Sequence, residues 1–347
     1  MSVGLDVGSS QIRCLRRRGD QLIGRSNRTL FAVLPDAPKY RALLEAGQIP
    51  FAVCDGALTL VGDTAAAYSS LFHVRPQSLL PQGHLPPNDP VARQSSAALV
   101  EALLGEPDQP GEFCCVTLPG GEMSRSLATS NELEFFSRLI RLRGFTPQVL
   151  SAGMAAVLAH LVHNSFTGIG LSFGAATSEL VLAHRGIERA VYSSPLGGNW
   201  LDELIAEQFS YLICDTSGAA YLDVEHAAAD RHEFAGSLAA PHDEPSEFLS
   251  ALHQDLVYAL IRSAAVELAK EPRTLEVPQP LPVVVVGGVA KIRGFRELLH
   301  HTFEAAEFPL AIRDIQFATD NPFAVARGCL INAQLESDVR AAGNRAA

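Results

Sequence analysis

At 347 residues, with 47% apolar and 19% charged side chains, the chain is long enough for two domains of ordinary size and too apolar for intrinsic disorder. No window reaches the roughly 18 uninterrupted apolar residues of a membrane span. Its 27 Lys and Arg against 38 Asp and Glu leave a formal charge of -11, which repels a polyanion, so no nucleic-acid partner is expected.

The first residues enter an apolar strand at once, with no basic n-region, long h-region or amphipathic helix ahead of them, and a cytoplasmic protein is expected. The first 30 residues alternate as an antiparallel meander. Val3, Leu5 and Val7 precede a turn at Gly8-Ser9-Ser10; Ile12, Cys14 and Leu15 precede a second turn at Arg18-Gly19-Asp20; Leu22 and Ile23 follow. Residues 50–61 form a further hairpin about Asp55-Gly56, a pair suited to the two positive φ angles of a type I′ turn. Prolines 76, 81, 86, 87 and 90 forbid regular structure and read as a connector, after which Val91–Leu104 is helical.

Strands and helices then alternate: strand 113–118, helix 121–143, strand 147–150, helix 152–163 and strands near 167–173, 177–184 and 187–193. The meander has thus occurred twice, each time opening on a strand that runs into small residues, so a duplicated domain is expected. Helices are expected at about 200–213 and 217–229, followed by a polar loop at 230–245. Ser246 is a plausible N-cap for a long helix with the stripe Leu249, Leu252, Leu256, Leu260, Ala264 and Leu268. Pro282–Val286 reads as a fully buried strand turned by Gly287-Gly288, with helices at 292–303 and 322–335 beyond it. The cysteines, Cys14, Cys54, Cys114, Cys115, Cys214 and Cys329, have neither C-x-x-C nor zinc-finger spacing and read as small core hydrophobes.

A strand that ends in a turn of small residues exposes backbone N–H groups, and two such turns facing each other can hold a polyphosphate. Gly8, Ser9 and Ser10 form one such turn, and Gly174, Ala175, Ala176 and Thr177 the other. Asp6, at the end of the first strand, could hold a magnesium ion through its waters. Gly287 and Gly288 could form a backbone platform under a nucleoside. Either turn alone is also an ordinary hairpin; their order and spacing along the chain is the specific signal. His160, His163 and Asn164, and the run Arg16-Arg17-Arg18, read as caps or solvated charge.

In that order the chain resembles the actin-like nucleotide-binding superfamily, and most closely the bacterial actins of the MreB family, with heat-shock chaperones as more distant relatives. Gly4–Ser10 is similar to the family's first phosphate loop and Gly170–Glu179 to its second. Ser194–Asp202, containing Gly197 and Gly198, resembles the Gly-Gly-Asp-x-x-Asp segment, Val283–Phe295 the adenosine motif and Pro322–Gly328 the C-terminal helix. The resemblance implies an α/β, actin-like two-domain duplicated fold with ribonuclease H-like sheets around a nucleotide cleft. Domain I would span 1–150 with a small subdomain at about 30–90. Domain II would span 151–320 with a reduced subdomain at about 203–280, and 321–347 would return a helix to domain I. It further implies ATP with Mg2+ between the domains, Trp200 beneath the nucleotide-side loop, and self-association into cytoskeletal filaments.

The departures from the family pattern carry expectations too. Ser172 stands where an acid precedes the second turn, and Ala152 where a Gln or Glu orients the attacking water; Asn199 replaces a further acid. Ala220, Tyr221 and Asp223 occupy the neighbourhood of the usual nucleoside-flanking Glu and Lys. Hydrolysis is therefore expected to be slow or absent, at most that of a weak ATPase. A non-polymerising pseudo-ATPase, acting as scaffold or switch for a protein partner, is the alternative. A sugar or acetate kinase of the same superfold would need a general base that the sequence does not offer. No membrane-binding segment is recognisable.

Overall fold

The computed structural model describes residues 2–120, 127–214 and 218–346. In chain order the N-terminal meander is β1 (Ser2–Val7), β2 (Gln11–Arg18) and β3 (Gln21–Arg28). An insert follows: β4 (Leu30–Leu34), α1 (Pro38–Ala46), β5 (Ala52–Cys54), β6 (Ala57–Val61), α2 (Asp63–Tyr68) and β7 (Gln77–Ser78). Then come α3 (Pro90–Leu104), β8 (Phe113–Thr117), α4 (Leu127–Leu142) and β9 (Thr146–Val149). The C-terminal half comprises α5 (Ala152–His160), the meander β10 (Gly168–Phe173), β11 (Ser178–His184) and β12 (Ile187–Ser194), and α6 (Gly198–Gln208). It continues through β13 (Leu212–Cys214), β14 (Ala220–Leu222), α7 (Val224–Glu233), α8 (Glu244–Lys270), β15 (Leu281–Val286), α9 (Phe295–Ala305), β16 (Ile312–Phe317) and α10 (Ala324–Ala346).

Two five-stranded sheets share one plan. Their orders are β3-β2-β1-β8-β9 and β12-β11-β10-β15-β16. In each, the three meander strands are antiparallel and the last two join in parallel. The expected duplication is therefore present as a repeat of order and sense. The parallel strands have helices on both faces, which explains the unbroken apolar run of β15, buried at all six positions.

Between the sheets lie α5 and α10. Met154 and Val157 of α5 pack with Val284, Val286 and Ala324, while Ala155 meets Cys115, Cys329 and Ala333. Small residues permit this closeness: a Cβ at Gly4 would run into the backbone of α10 at Ala326, and one at Gly328 into α5 at Ala155. Cys114 points into the other core of β8, as strand alternation requires of adjacent cysteines. The insert folds on its own small sheet, β5-β6-β4-β7, whose hairpin places Asp55 at φ 50° and Gly56 at φ 74°.

Several expected elements differ. The proline connector contributes β7, which pairs with β4 and closes the insert's sheet. Residues 121–126 of the expected helix 121–143, and residue 217 at the start of the expected helix 217–229, lie outside the described residues. Where the sequence suggested helix at 212–213 and 220–222 the chain forms the hairpin β13/β14, because short apolar runs carry no period that separates strand from helix. The Arg75 guanidinium sits 4.4 Å from the ring centre of Tyr221 on β14, linking the N-terminal insert to that hairpin. The N-cap of α8 is Asp243, with Ser246 one turn inside. Edge strand β16 was not anticipated: only Ile315 of its six residues is buried, so it lacks the apolar signal of a core strand. Trp200 packs against the core of the C-terminal half, and Arg16 is buried against Glu112 at 2.9 Å, unlike its solvated neighbours Arg17 and Arg18.

Candidate functional site

A cleft of about 460 Å³ opens between the two sheets, at the carboxyl ends of β1, β8, β10 and β15. That is where open α/β sheets receive ligands, because the loops that follow parallel strands converge there. Its first wall is the β1–β2 turn. The Gly8 N–H donates to the Gln11 carbonyl at 3.1 Å, and buried Thr29 fixes the turn from behind: its N–H donates to Ser10 O at 3.0 Å and its Oγ1 to Gly8 O at 2.7 Å. Among the described residues nothing accepts the N–H groups of Ser9 and Ser10. Both line the cleft, and the Ser10 side chain is exposed in it.

The second turn repeats this at the head of β11. The Gly174 N–H donates to Thr177 O at 2.9 Å, and the α6 N-terminus braces the turn through Gly198 N–H to Gly174 O at 3.0 Å and Asn199 N–H to Ala175 O at 2.7 Å. The N–H groups of Ala175 and Ala176 have no acceptor among the described residues. The Gly8, Ser10, Gly174 and Ala175 carbonyls are thus satisfied from behind, while N–H groups remain in the cleft. Gly287 adopts φ 106° where a Cβ would collide with the Phe173 backbone, and Gly288 faces open space.

Every residue expected at the site except Gly197 lies on the cleft wall: Asp6, Gly8, Ser9, Ser10, Gly174, Ala175, Ala176, Thr177, Gly198, Gly287 and Gly288. Gly197 instead packs behind the second turn, where a Cβ would meet the backbone of Ala176 and Thr177. Ala152 and Ser172 are also on the wall, whereas His160, His163, Asn164, Tyr221 and Asp223 are not. The wall also carries Arg231 and His232 from the last turn of α7, a position read from sequence as polar loop.

Sequence reasoning missed Arg13, Glu179, Arg231 and Lys291 as wall residues. Arg13 could have been found from strand pairing: two positions before the buried Leu15, it is the cross-strand partner of Asp6. Arg231 carried no local signal. It reaches the cleft because α7 lies beside α6, where its guanidinium grips Asp202 through Nε at 2.6 Å and Nη2 at 3.0 Å. Glu179 is the cross-strand partner of Ser172, and its carboxylate accepts the Gly153 N–H at 2.7 Å, next to Ala152. Burial, aided by the nearby Glu188 charge, pushes the Glu179 carboxyl up to about 7. Burial also raises Asp6, against the opposing pull of Arg13 and the Thr117 hydroxyl, which donates to it at 2.9 Å. His232 is held below its usual range by burial and by the Arg231 charge.

A family model described as Volactin matches residues 1–333. The chain belongs to the Volactin family. Among solved structures, this Volactin-family chain is similar to the "MamK double helical filament", with 17% identity and a TM-score of 0.69 over 96% of this chain and 98% of that one. MreB 5 of Spiroplasma citri bound to AMPPNP gives 16% identity and 0.67 over 98% of each chain. The ethanolamine utilization protein EutJ from Carboxydothermus hydrogenoformans gives 17% and 0.51 over 95% of this chain and 88% of that one. No curated protein matches the sequence. The fold is therefore the actin-like duplicated α/β fold, close in shape to the bacterial actins. No helix among the described residues is long and apolar enough to cross a membrane.

Proposed function

We propose that this Volactin-family chain binds a nucleoside triphosphate of the ATP type in the cleft and self-associates head to tail as an actin-like filament. The observation that carries the nucleotide reading is the pair of braced turns, which leave the N–H groups of Ser9, Ser10, Ala175 and Ala176 for phosphate oxygens. Gly287 and Gly288 provide a flat backbone for the nucleoside, beside Arg231 and His232. The MreB 5 structure similar in fold was determined with AMPPNP, and the MamK structure is a double helical filament; both support the reading. A heterologous contact between copies of the chain that does not close on itself generates a polymer. We assign the halves to 1–150 and 151–320, with 321–347 returning to the first.

Mg2+ is a separate matter. Asp6 is the carboxylate nearest the first turn and would meet the ion through waters, but its oxygens are already shared by Thr117 and Arg13. Among the described residues no group of three or more His, Cys, Asp or Glu is placed to hold a metal. The donor set does not fit a preformed divalent-cation site.

Ala152 and Ser172 on the wall favour a second reading, a non-polymerising scaffold or switch that uses nucleotide without hydrolysing it. Titration calorimetry joined to light scattering separates these readings. ATP binding with a rise in scattering supports the filament, and binding without scattering at any protein concentration selects the scaffold. Absence of heat with ATP and AMPPNP alike overturns both.

A further inference from the structure

Asp6, Glu179 and Asp202 are the carboxylates on the cleft wall among the described residues, and each is already matched. Asp202 is gripped by Arg231 through two hydrogen bonds. Glu179 takes the Gly153 N–H at the start of α5. Asp6 accepts the Thr117 hydroxyl and faces the Arg13 guanidinium at 3.6 Å. A hydrated dication, which is bound by carboxylate and phosphate oxygens together, would have to share each of these carboxylates with a donor already in place. A cation at Asp6 would also be repelled by the fixed guanidinium beside it.

Arg13 itself is placed as a counter-charge for phosphate. It follows the first turn on β2, directly across from Asp6, and lines the cleft with its side chain a quarter exposed. Its Nη2 donates to Gln11 Oε1 at 2.7 Å, which steadies the head group, while its Nε is buried with no acceptor. A guanidinium presents five N–H donors in a planar fork that matches phosphate oxygens. With one bond to Gln11 and a loose pairing to Asp6, donors remain for a ligand seated on the Ser9 and Ser10 N–H groups.

We propose that Arg13 takes the place of the divalent cation, so that the cleft binds the free nucleoside triphosphate without metal. The inference rests on the nucleotide reading above and concerns the same site. Arg13 supplies positive charge beside the phosphate turn, and its pairing with Asp6 removes the carboxylate that a hydrated ion would need. Free magnesium, by drawing ATP into its complex, then gives no gain in affinity.

The test is calorimetric titration with ATP, once in EDTA and once in excess magnesium chloride, on the full chain and on Arg13→Lys and Arg13→Gln. For the parent chain the dissociation constant in excess magnesium is expected to be no lower than in EDTA, and higher to the extent that magnesium depletes free ATP. Loss of a charge-assisted bond to phosphate weakens Arg13→Gln by about tenfold or more in EDTA. Magnesium recovers much of that loss, because Asp6 is then released. Arg13→Lys keeps binding in EDTA, since the point charge remains. Parent binding that is strong with magnesium and lost in EDTA overturns the inference and leaves the nucleotide reading standing. Arg13→Gln binding in EDTA equal to that of the parent overturns it as well. No binding in either buffer overturns the nucleotide reading and the inference with it. The parent comparison decides even if Arg13→Gln fails to fold.

Discussion

Glu179 shows how one buried side chain can tie the cleft to the stability of the chain. It is 4% exposed, and its carboxyl titrates at about 7 in the folded state against 4.5 ordinarily, mainly because burial penalises the charge. The folded state thus favours the protonated form. Its contribution to stability is complete below pH 4.5, is lost as pH rises toward 7, and becomes a constant deficit above that, on the order of 3 kcal/mol. Gln at this position keeps an oxygen for the Gly153 N–H and carries no charge. Glu179→Gln should therefore be more stable than the parent at pH 8, with the difference disappearing near pH 4.5. Urea denaturation at both pH values checks this; an equal difference at each would mean that the charge is not what the site resists.

At the scale of elements, α8 is fixed by a reciprocal cap. Asp243 Oδ1 accepts the Ser246 N–H at 2.9 Å, while Ser246 Oγ accepts the N–H groups of His242 and Asp243 at 2.9 and 3.1 Å. Ser246 is fully buried. Ser246→Ala strands those two donors, and the helix carries the stripe Leu249, Leu252, Leu256, Leu260, Ala264 and Leu268 into the core of the C-terminal half. The expected cost is about 1–2 kcal/mol in chemical denaturation. A value within about 0.5 kcal/mol of the parent would place the helix start elsewhere. The same helix shows why boundaries mislead: Ser246 and Asp243 are both good caps, and only the bonds made distinguish N-cap from the third helical residue. The hairpin β13/β14 and the edge strand β16 were illegible for a related reason, since each is defined by its pairing partner more than by its own residues.

At the scale of the molecule, the nucleotide proposed for the cleft is expected to be bound without being cut. Ala152 and Ser172 both face it, and a methyl and a hydroxyl at these places cannot orient water as a carboxylate would; the nearby Glu179 carboxylate is anchored on the α5 N-terminus. Positioned acid–base groups contribute roughly 10²–10⁴ in rate. Phosphate release by the parent should therefore stand barely above background, and Ala152→Glu with Ser172→Asp should raise it by about tenfold or more. Brisk release by the parent would show that another group activates water. Without hydrolysis the nucleotide acts as a structural ligand, favouring whichever state binds it by mass action and setting no timed disassembly.

The sequence by itself determined the two meanders, the buried strand β15 and the two small-residue turns, because strand alternation, turn chemistry and apolar stripes are local and survive in any context. It also determined the duplication, since the same order of local patterns appears twice. Arg13 opposite Asp6 follows from the register of the first hairpin. Tertiary structure alone decided the other charge contacts of the cleft: Arg231 reaches Asp202 through the packing of α7 on α6, and Glu179 caps α5 from a neighbouring strand. Such pairs are separated along the chain by up to 29 residues, as Asp202 and Arg231 are, and leave no period or motif in the sequence. Their energies come from burial and distance, which exist only once each half has folded.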